Sequence, residues 1–255
     1  MFQGKWALVT GAGSGIGRAF AEILAERGAK LILVDQDETA LGLVAAELSR
    51  PDSEVLTRRV DVGSRSEMIA LGEWVHERTP ALDLLVNNAG VIELGGALDT
   101  SWDAWERLLR VNLWGVIHGV KVFVPAMRER RRGAVLNIAS ASGIVGLPTI
   151  AAYSTTKFAV VGLSTTLHGE LLPHGVHVTC VCPGLVHTNL GKQPHWSRNE
   201  REQIDGLLSQ RGLDPHEVVR AALAGVQKNQ TFVHVGGAAR LIGWAARLIP
   251  ASAPR

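Results

Sequence analysis

The chain has 255 residues, 46% of them hydrophobic and 20% charged, a balance that supports a large buried core and argues against disorder. Its 26 Lys and Arg stand against 24 Asp and Glu, too small an excess to build a nucleic-acid surface. No run of about 18 uninterrupted apolar residues is present, so a membrane-spanning helix is not expected.

Short apolar runs alternate with longer helical patterns along the chain. Ala7–Val9 reads as the first strand and Gly15–Arg27 as the helix after it. Between them stands Thr10-Gly-Ala-Gly-Ser-Gly-Ile-Gly17, spaced Gly11-x-x-x-Gly15-x-Gly17, with Ile16 where a strict G-x-G-x-x-G would need glycine. Glycines here let the backbone turn sharply toward a pyrophosphate, and the helix start offers it free N–H groups. A bare strand-ending turn is the plainer reading, but the strand–turn–helix context favours phosphate. The candidates are Gly11, Ser14, Gly15, Ile16 and Gly17. Lys30–Val34 is the second strand, and Asp35 follows it eighteen residues after Gly17. A carboxylate there accepts from the adenosine ribose hydroxyls and repels a 2′-phosphate. Neither Ser14 nor Gln36 supplies a cation for that phosphate, so NAD(H) is expected over NADP(H).

Helix Glu38–Arg50, strand Glu54–Val60, helix Ser64–Arg78 and strand Leu82–Val86 come next. One long helix, Trp102–Arg130, then closes in the basic run Arg128-Glu-Arg-Arg-Arg132, where solvated cations suit the helix dipole. Strand Gly133–Ala139 leads to Ser140, and helix Ala151–Leu172 carries Tyr153, thirteen residues further on, and Lys157. Four apart, the phenol and the ammonium share a helical face. The ammonium is expected to lower the pKa of this phenol, the only one in the chain, toward working pH. Cys180 and Cys182, the only cysteines, stand two apart in the apolar run around His177–Val181. A disulfide between them is geometrically poor, so two buried thiols in a reducing cytosol are expected.

The polar stretch 187–213, with Pro194 and Trp196, breaks the rhythm and is expected to be a substrate lid. Helix Pro215–Gln227 and strand Thr231–Val235 complete the pattern, and 236–255 read as a helical tail. Strands without polar alternation, separated by helices, imply a doubly wound parallel α/β sheet in one domain over residues 1–255. With a strand so near the start, a cleavable signal has no room, and a cytoplasmic protein is expected.

In order and at compatible spacing stand Thr10–Gly17, Asp61-Val62, Asn87-Asn-Ala-Gly90, Asn112, Ser140, Tyr153-x-x-x-Lys157 and Pro183-Gly-Leu-Val-His-Thr188. This set resembles the compact, single-domain form of the short-chain dehydrogenase/reductase family, over about residues 4–190. The resemblance implies a Rossmann-like sheet of seven strands in the order 3-2-1-4-5-6-7, with helices on both faces. It implies that Asp61 and Val62 hold the adenine, that Asn88, Ala89 and Gly90 lie under the cofactor, and that Pro183, Gly184, Val186 and Thr188 flank the nicotinamide. Tyr153 becomes the general acid or base, Ser140 orients the substrate oxygen, and Lys157 also binds the nicotinamide ribose. Asn112 is implied to lie in a kinked helix and hold a relay water. The plainer readings are a strand-capping turn for Asn87–Gly90 and a mid-helix polar residue bonding its own backbone for Asn112.

The function expected is hydride transfer between NAD(H) and a secondary alcohol or ketone. The apolar run Ile144-Val-Gly-Leu-Pro148 and the apolar tail point to a hydrophobic substrate. Two alternatives stand beside it: an NADP(H)-dependent carbonyl reductase, and a non-catalytic NAD(H)-responsive regulator. Nine histidines form no H-x-x-x-H or Cys/His ligand pattern, so no metal is expected; His187 and His195 are placed to touch substrate. The family commonly ends in Asp-Gly-Gly, whereas this chain continues through Arg240, Leu241, Trp244, Ala245, Arg247 and Leu248. That departure weakens a tetramer contact at this end and favours a dimer through Trp102–Arg130 and Ala151–Leu172. Peripheral membrane contact by the tail is the lesser expectation.

Overall fold

The computed structural model of the chain describes residues 2–50, 53–188, 196–198, 201, 202, 204, 206, 208, 212–237 and 239–241. Seven strands form one sheet: β1 Trp6–Thr10, β2 Lys30–Asp35, β3 Val55–Arg59, β4 Leu84–Asn87, β5 Gly133–Ile138, β6 Val176–Pro183 and β7 Phe232–Val235. All pairings are parallel, and the order is 3-2-1-4-5-6-7, as expected. Among the helices are α1 Gly15–Glu26, α2 Glu38–Leu48, α3 Arg65–His76, α4 Trp102–Leu108, α5 Gly115–Glu129, α6 Ala151–Leu171 and α7 Pro215–Gln227.

The two-residue period of a strand sorts the core into two layers. Ala7 and Val9 join Phe20 and Leu24 of α1 and Val219 and Leu223 of α7. Leu8, between them, joins Met68 and Leu71 of α3 and Phe123 of α5 on the other face. Each fully buried large apolar side chain of this kind contributes about 1.5–3 kcal/mol. Helices cover both faces of the central strands, so β1, β2 and β4 carry no polar alternation, unlike the edge strands β3 and β7. From β1 the order runs outward through β2 and β3, then resumes on the other side at β4. That reversal opens a crevice at the carboxyl ends of β1 and β4, where ligands bind in such sheets.

Two expectations are corrected. The single helix Trp102–Arg130 is interrupted by a π-helical stretch, Leu109–Trp114. Asn112 lies inside it, and its amide bonds the backbone of Val91 instead of its own helix. Wider turns of this type recur at functional sites. The basic run is also more than a solvated face. Arg130 and Arg132 reach Asp83 at 3.3 and 3.1 Å, and Arg131 donates to the carbonyl of Pro173 at 2.7 Å.

Cys180 and Cys182 are free, buried thiols on β6, packed with Val116, Ala139 and Val160. Among the described residues, no helix is long and apolar enough to cross a membrane.

Candidate active site

The glycine loop is shaped for close approach. Gly11 and Gly15 adopt φ of +65° and +54°, a left-handed region costly for other residues. A Cβ on Gly17 would stand 1.9 Å from the carbonyl oxygen of Gly11, so α1 can meet the loop only without one. Ser14 caps α1 with its backbone alone: its side chain makes no capping bond, and no acidic residue occupies the first turn. The amide donors at this helix start are thus left to a ligand, and an anion suits them. Next to the loop, the Asp35 carboxylate is pinned by the N–H groups of Gly13 (2.8 Å) and Asp37 (3.0 Å). The loop, the uncapped helix start and the pinned carboxylate fit a dinucleotide.

At the end of β4 the chain is clamped to β1. Thr10 Oγ1 accepts from the N–H groups of Asn88 and Ala89 at 3.0 and 3.1 Å. Asn88 Nδ2 donates to the carbonyls of Thr10 (2.9 Å) and Gly11 (3.2 Å). The expected capping turn at Asn87–Gly90 is therefore present, braced across the sheet. Gly90 leaves a gap between two candidate side chains: a Cβ there would be 3.3 Å from Asn112 Oδ1 and 3.7 Å from Lys157 Nζ. On the β3 side, Asp61 accepts from Gly63 N–H at 2.9 Å and pairs with Arg110. Val62 is buried, packed against the position of Gly115.

The end of β5 delivers Ser140, and α6 delivers Tyr153 and Lys157. A buried polar ladder ties these elements together: Asn87 Nδ2 donates to Asn137 Oδ1 (2.9 Å), and Asn137 Nδ2 donates to Ser164 Oγ (2.9 Å). Tyr153 is 8% exposed and Lys157 3%. Lys157 Nζ donates to the carbonyl of Ile138 at 2.8 Å and sits 5.5 Å from the centre of the Tyr153 ring. Burial pushes the phenol up to about 12, and a hydrogen bond with Ser140 offsets part of that rise. Lowering by Lys157 was expected, but here the side chains alone give the reverse, because desolvation of the phenolate dominates. Burial pulls Lys157 down to about 8, with Cys180 and Cys182 acting the other way.

The shift on Lys157 has a consequence for stability. Its folded pKa lies below the unfolded value, so the cost of the buried charge is fully present below about pH 8. It is relieved as pH rises toward the unfolded value of about 10.4. Wild type should therefore gain on the order of 2 kcal/mol relative to Lys157→Met between about pH 8 and pH 9.5. Urea melts of both proteins at the two pH values check this; parallel pH trends would show that Lys157 does not titrate there.

Pro183 ends β6 paired with Val235, and Gly184, just after it, donates to the carbonyl of Val235 at 3.0 Å. Val186 is buried and bridges to Leu213. Thr188 closes over the glycine loop, its Cγ2 2.9 Å from where a Gly15 Cβ would be. His187 turns its ring toward Gly212. Of the lid expected at 187–213, residues 189–195 fall outside the described residues, His195 among them, as do 199, 200, 203, 205, 207 and 209–211. Trp196 is described, buried, with its indole N–H donating to Glu93 Oε1 at 3.0 Å, and Glu93 also pairs with Arg107. Of the tail, Gly236, Gly237 and 239–241 are described; Trp244, Ala245, Arg247 and Leu248 lie outside.

Gly11, Gly13 and Gly15 thus meet Asn88, Asp35 and Thr188, while Gly90 stands beside Asn112 and Lys157, and Lys157 and Ser140 lie against Tyr153. Three participants escaped the sequence reading, Arg110, Glu93 and Thr156, and Thr10 was read only as the first residue of the glycine motif. Only Thr156 carried a local signal, since it stands three residues from Tyr153 on the same helix.

Residues 5–198 match the family model described as short chain dehydrogenase. The chain therefore belongs to the short-chain dehydrogenase/reductase family, whose oxidoreductases bind NAD(P) and act on small molecules. It is 35% identical to a Mycobacterium tuberculosis protein named as an oxidoreductase, SadH, over all of this chain and 94% of the relative. It is similar to human estradiol 17-beta-dehydrogenase 11, at 32% identity over 97% of the chain and 80% of the relative. Among solved structures, a short-chain dehydrogenase/reductase of Burkholderia phymatum in complex with NAD superposes with a TM-score of 0.87. That match has 31% identity and covers 97% of this chain and 93% of that one.

Proposed function

We propose that this oxidoreductase transfers a hydride between NAD(H) and a hydrophobic secondary alcohol or ketone, with Tyr153 as the proton donor and acceptor at the substrate oxygen. One observation carries the reading: Ser140 reaches the only phenol in the chain, beside a buried ammonium, at the end of a glycine-lined crevice. A regulator that only binds nucleotide has no use for such a set.

NAD(H), when bound, supplies or accepts the hydride. Gly11, Ser14, Gly15, Ile16 and Gly17 hold its pyrophosphate, Asp35 the adenosine ribose, and Asp61 and Val62 the adenine. Asn88, Ala89 and Gly90 lie beneath it. Pro183, Gly184, Val186 and Thr188 flank the nicotinamide, and Lys157 and Tyr153 face its ribose. Ser140 donates a hydrogen bond to the substrate oxygen and fixes its direction. Tyr153 passes a proton to that oxygen in reduction and takes it back in oxidation. With a pKa near 12 the phenol holds its proton at neutral pH, the form that serves reduction; oxidation needs the phenolate, which the Lys157 ammonium and the positive charge of bound NAD favour. Asn112 joins the site to solvent through water.

NAD(H) is favoured over NADP(H) by the Asp35 carboxylate, although an NADPH complex is known for a relative from Sphingobium yanoikuyae, 28% identical with a TM-score of 0.82. A hydrophobic substrate accords with Val145 and Leu147, exposed in the segment after Ser140, and with the steroid named for the estradiol dehydrogenase. A dimer is proposed through α5 and α6, which leave Trp114, just ahead of α5, and Phe158 half exposed. One domain, a cytoplasmic location and a lid over 187–213 complete the reading. Its test is a panel of secondary alcohols with NAD and ketones with NADH, followed by NADH absorbance. Turnover of apolar substrates is expected; activity on none of them would favour the regulator.

A further inference from the structure

Asn112 is fully buried, and its amide is committed on three sides. Oδ1 accepts from Val91 N–H at 2.8 Å, while Nδ2 donates to the carbonyl of Val91 at 2.8 Å and to Thr156 Oγ1 at 3.1 Å. Thr156, also fully buried, has one hydroxyl proton, which it donates to the carbonyl of Tyr153 at 2.7 Å. That carbonyl can only accept, so Thr156 Oγ1 is left to accept from Asn112. The amide must then present its NH₂ to α6, and its oxygen must turn toward Gly90, on the side of Lys157.

We infer that Thr156 is a positioning residue: its hydroxyl locks the Asn112 amide and joins the π-helical stretch to the turn of α6 that bears Tyr153 and Lys157. The inference rests on the catalytic reading above and adds to it a residue with no contact to substrate. Thr156→Val keeps the shape and removes the acceptor. One Asn112 N–H is then buried without a partner, which favours rotation of the amide or opening of the wider turn. Thr156→Ser restores the acceptor.

Because Tyr153 is the only tyrosine, its ring carbon can be labelled alone and its ionisation followed by NMR without any turnover. With NAD present, the Tyr153 titration should move in the same direction in Thr156→Val and in Asn112→Ala, and return to the wild-type curve in Thr156→Ser. With the best alcohol of the panel, kcat should fall about tenfold in Thr156→Val with little change in KM. The Asn112→Ala/Thr156→Val double variant should fall no further than Asn112→Ala alone. Should the Val variant not fold, Thr156→Ala carries the same measurements. A wild-type tyrosine titration in the hydroxyl-less variant, or losses that add in the double variant, would overturn the inference. Failure of the catalytic reading shows separately, as full turnover in Tyr153→Phe, whereas the titration arms do not depend on turnover.

Discussion

Tyr153→Phe is expected to lower kcat by about 10²–10⁴-fold, the range for removing a general acid or base, while affinity for NAD(H) stays nearly intact. The substitution deletes a single oxygen from a ring that is 8% exposed and packed with Leu108 and Ala152. The ring volume is kept, so no cavity opens and α6 has no reason to shift. The Lys157 ammonium keeps its bond to Ile138 and its place at the ring face. What disappears is the phenol proposed to pass a proton to the substrate oxygen, and no second phenol exists to replace it. Steady-state kinetics beside calorimetric NAD binding separate the two effects. Retained turnover would end the assignment of Tyr153, whatever the substrate.

The second large effect concerns the choice of cofactor. Exchanging Asp35→Ser together with Gln36→Arg should shift the ratio of NAD to NADP affinity toward NADP by about 10²-fold. Both oxygens of the Asp35 carboxylate are already engaged by backbone N–H groups, from Gly13 and from Asp37. The charge is thus held still at the end of β2 and cannot swing away from an incoming phosphate. Two like charges about 5 Å apart at an effective dielectric of about 20 repel by roughly 3 kcal/mol, enough for the stated shift. The arginine adds a fork that matches phosphate. Calorimetry with both dinucleotides decides it, and an unchanged ratio would leave Asp35 as a turn residue only.

Much of the fold was readable from local chemistry. Runs such as Leu31–Val34 are apolar at every position because helices cover both faces of the sheet, and such runs name a parallel strand without any partner in view. Asp35 and the glycine loop were readable for the same reason, since turn geometry and helix starts are properties of short segments. The long helix was misread because α4, the wider turn and α5 follow one another without a loop, so the helical pattern runs on through Asn112 and Gly115. Its interruption is imposed by Val91, whose backbone takes the Asn112 amide from twenty-one residues away.

The candidate site divides along the same line. Helix geometry alone paired Tyr153 with Lys157, because an i, i+4 pair is decided locally, whereas Ser140 joined them through the resemblance to the family. Arg110 on Asp61, Glu93 on Trp196 and Thr156 on Asn112 came only with the tertiary structure, as they join residues 49, 103 and 44 apart. The direction of the Tyr153 pKa belongs with them. Four-residue spacing suggested a lowered phenol, whereas burial raised it, because desolvation sums over everything packed around a group and no stretch of sequence contains that sum. Order of elements, glycine loop and candidate side chains were written in the chain itself; their electrostatics and bracing exist only once distant segments meet.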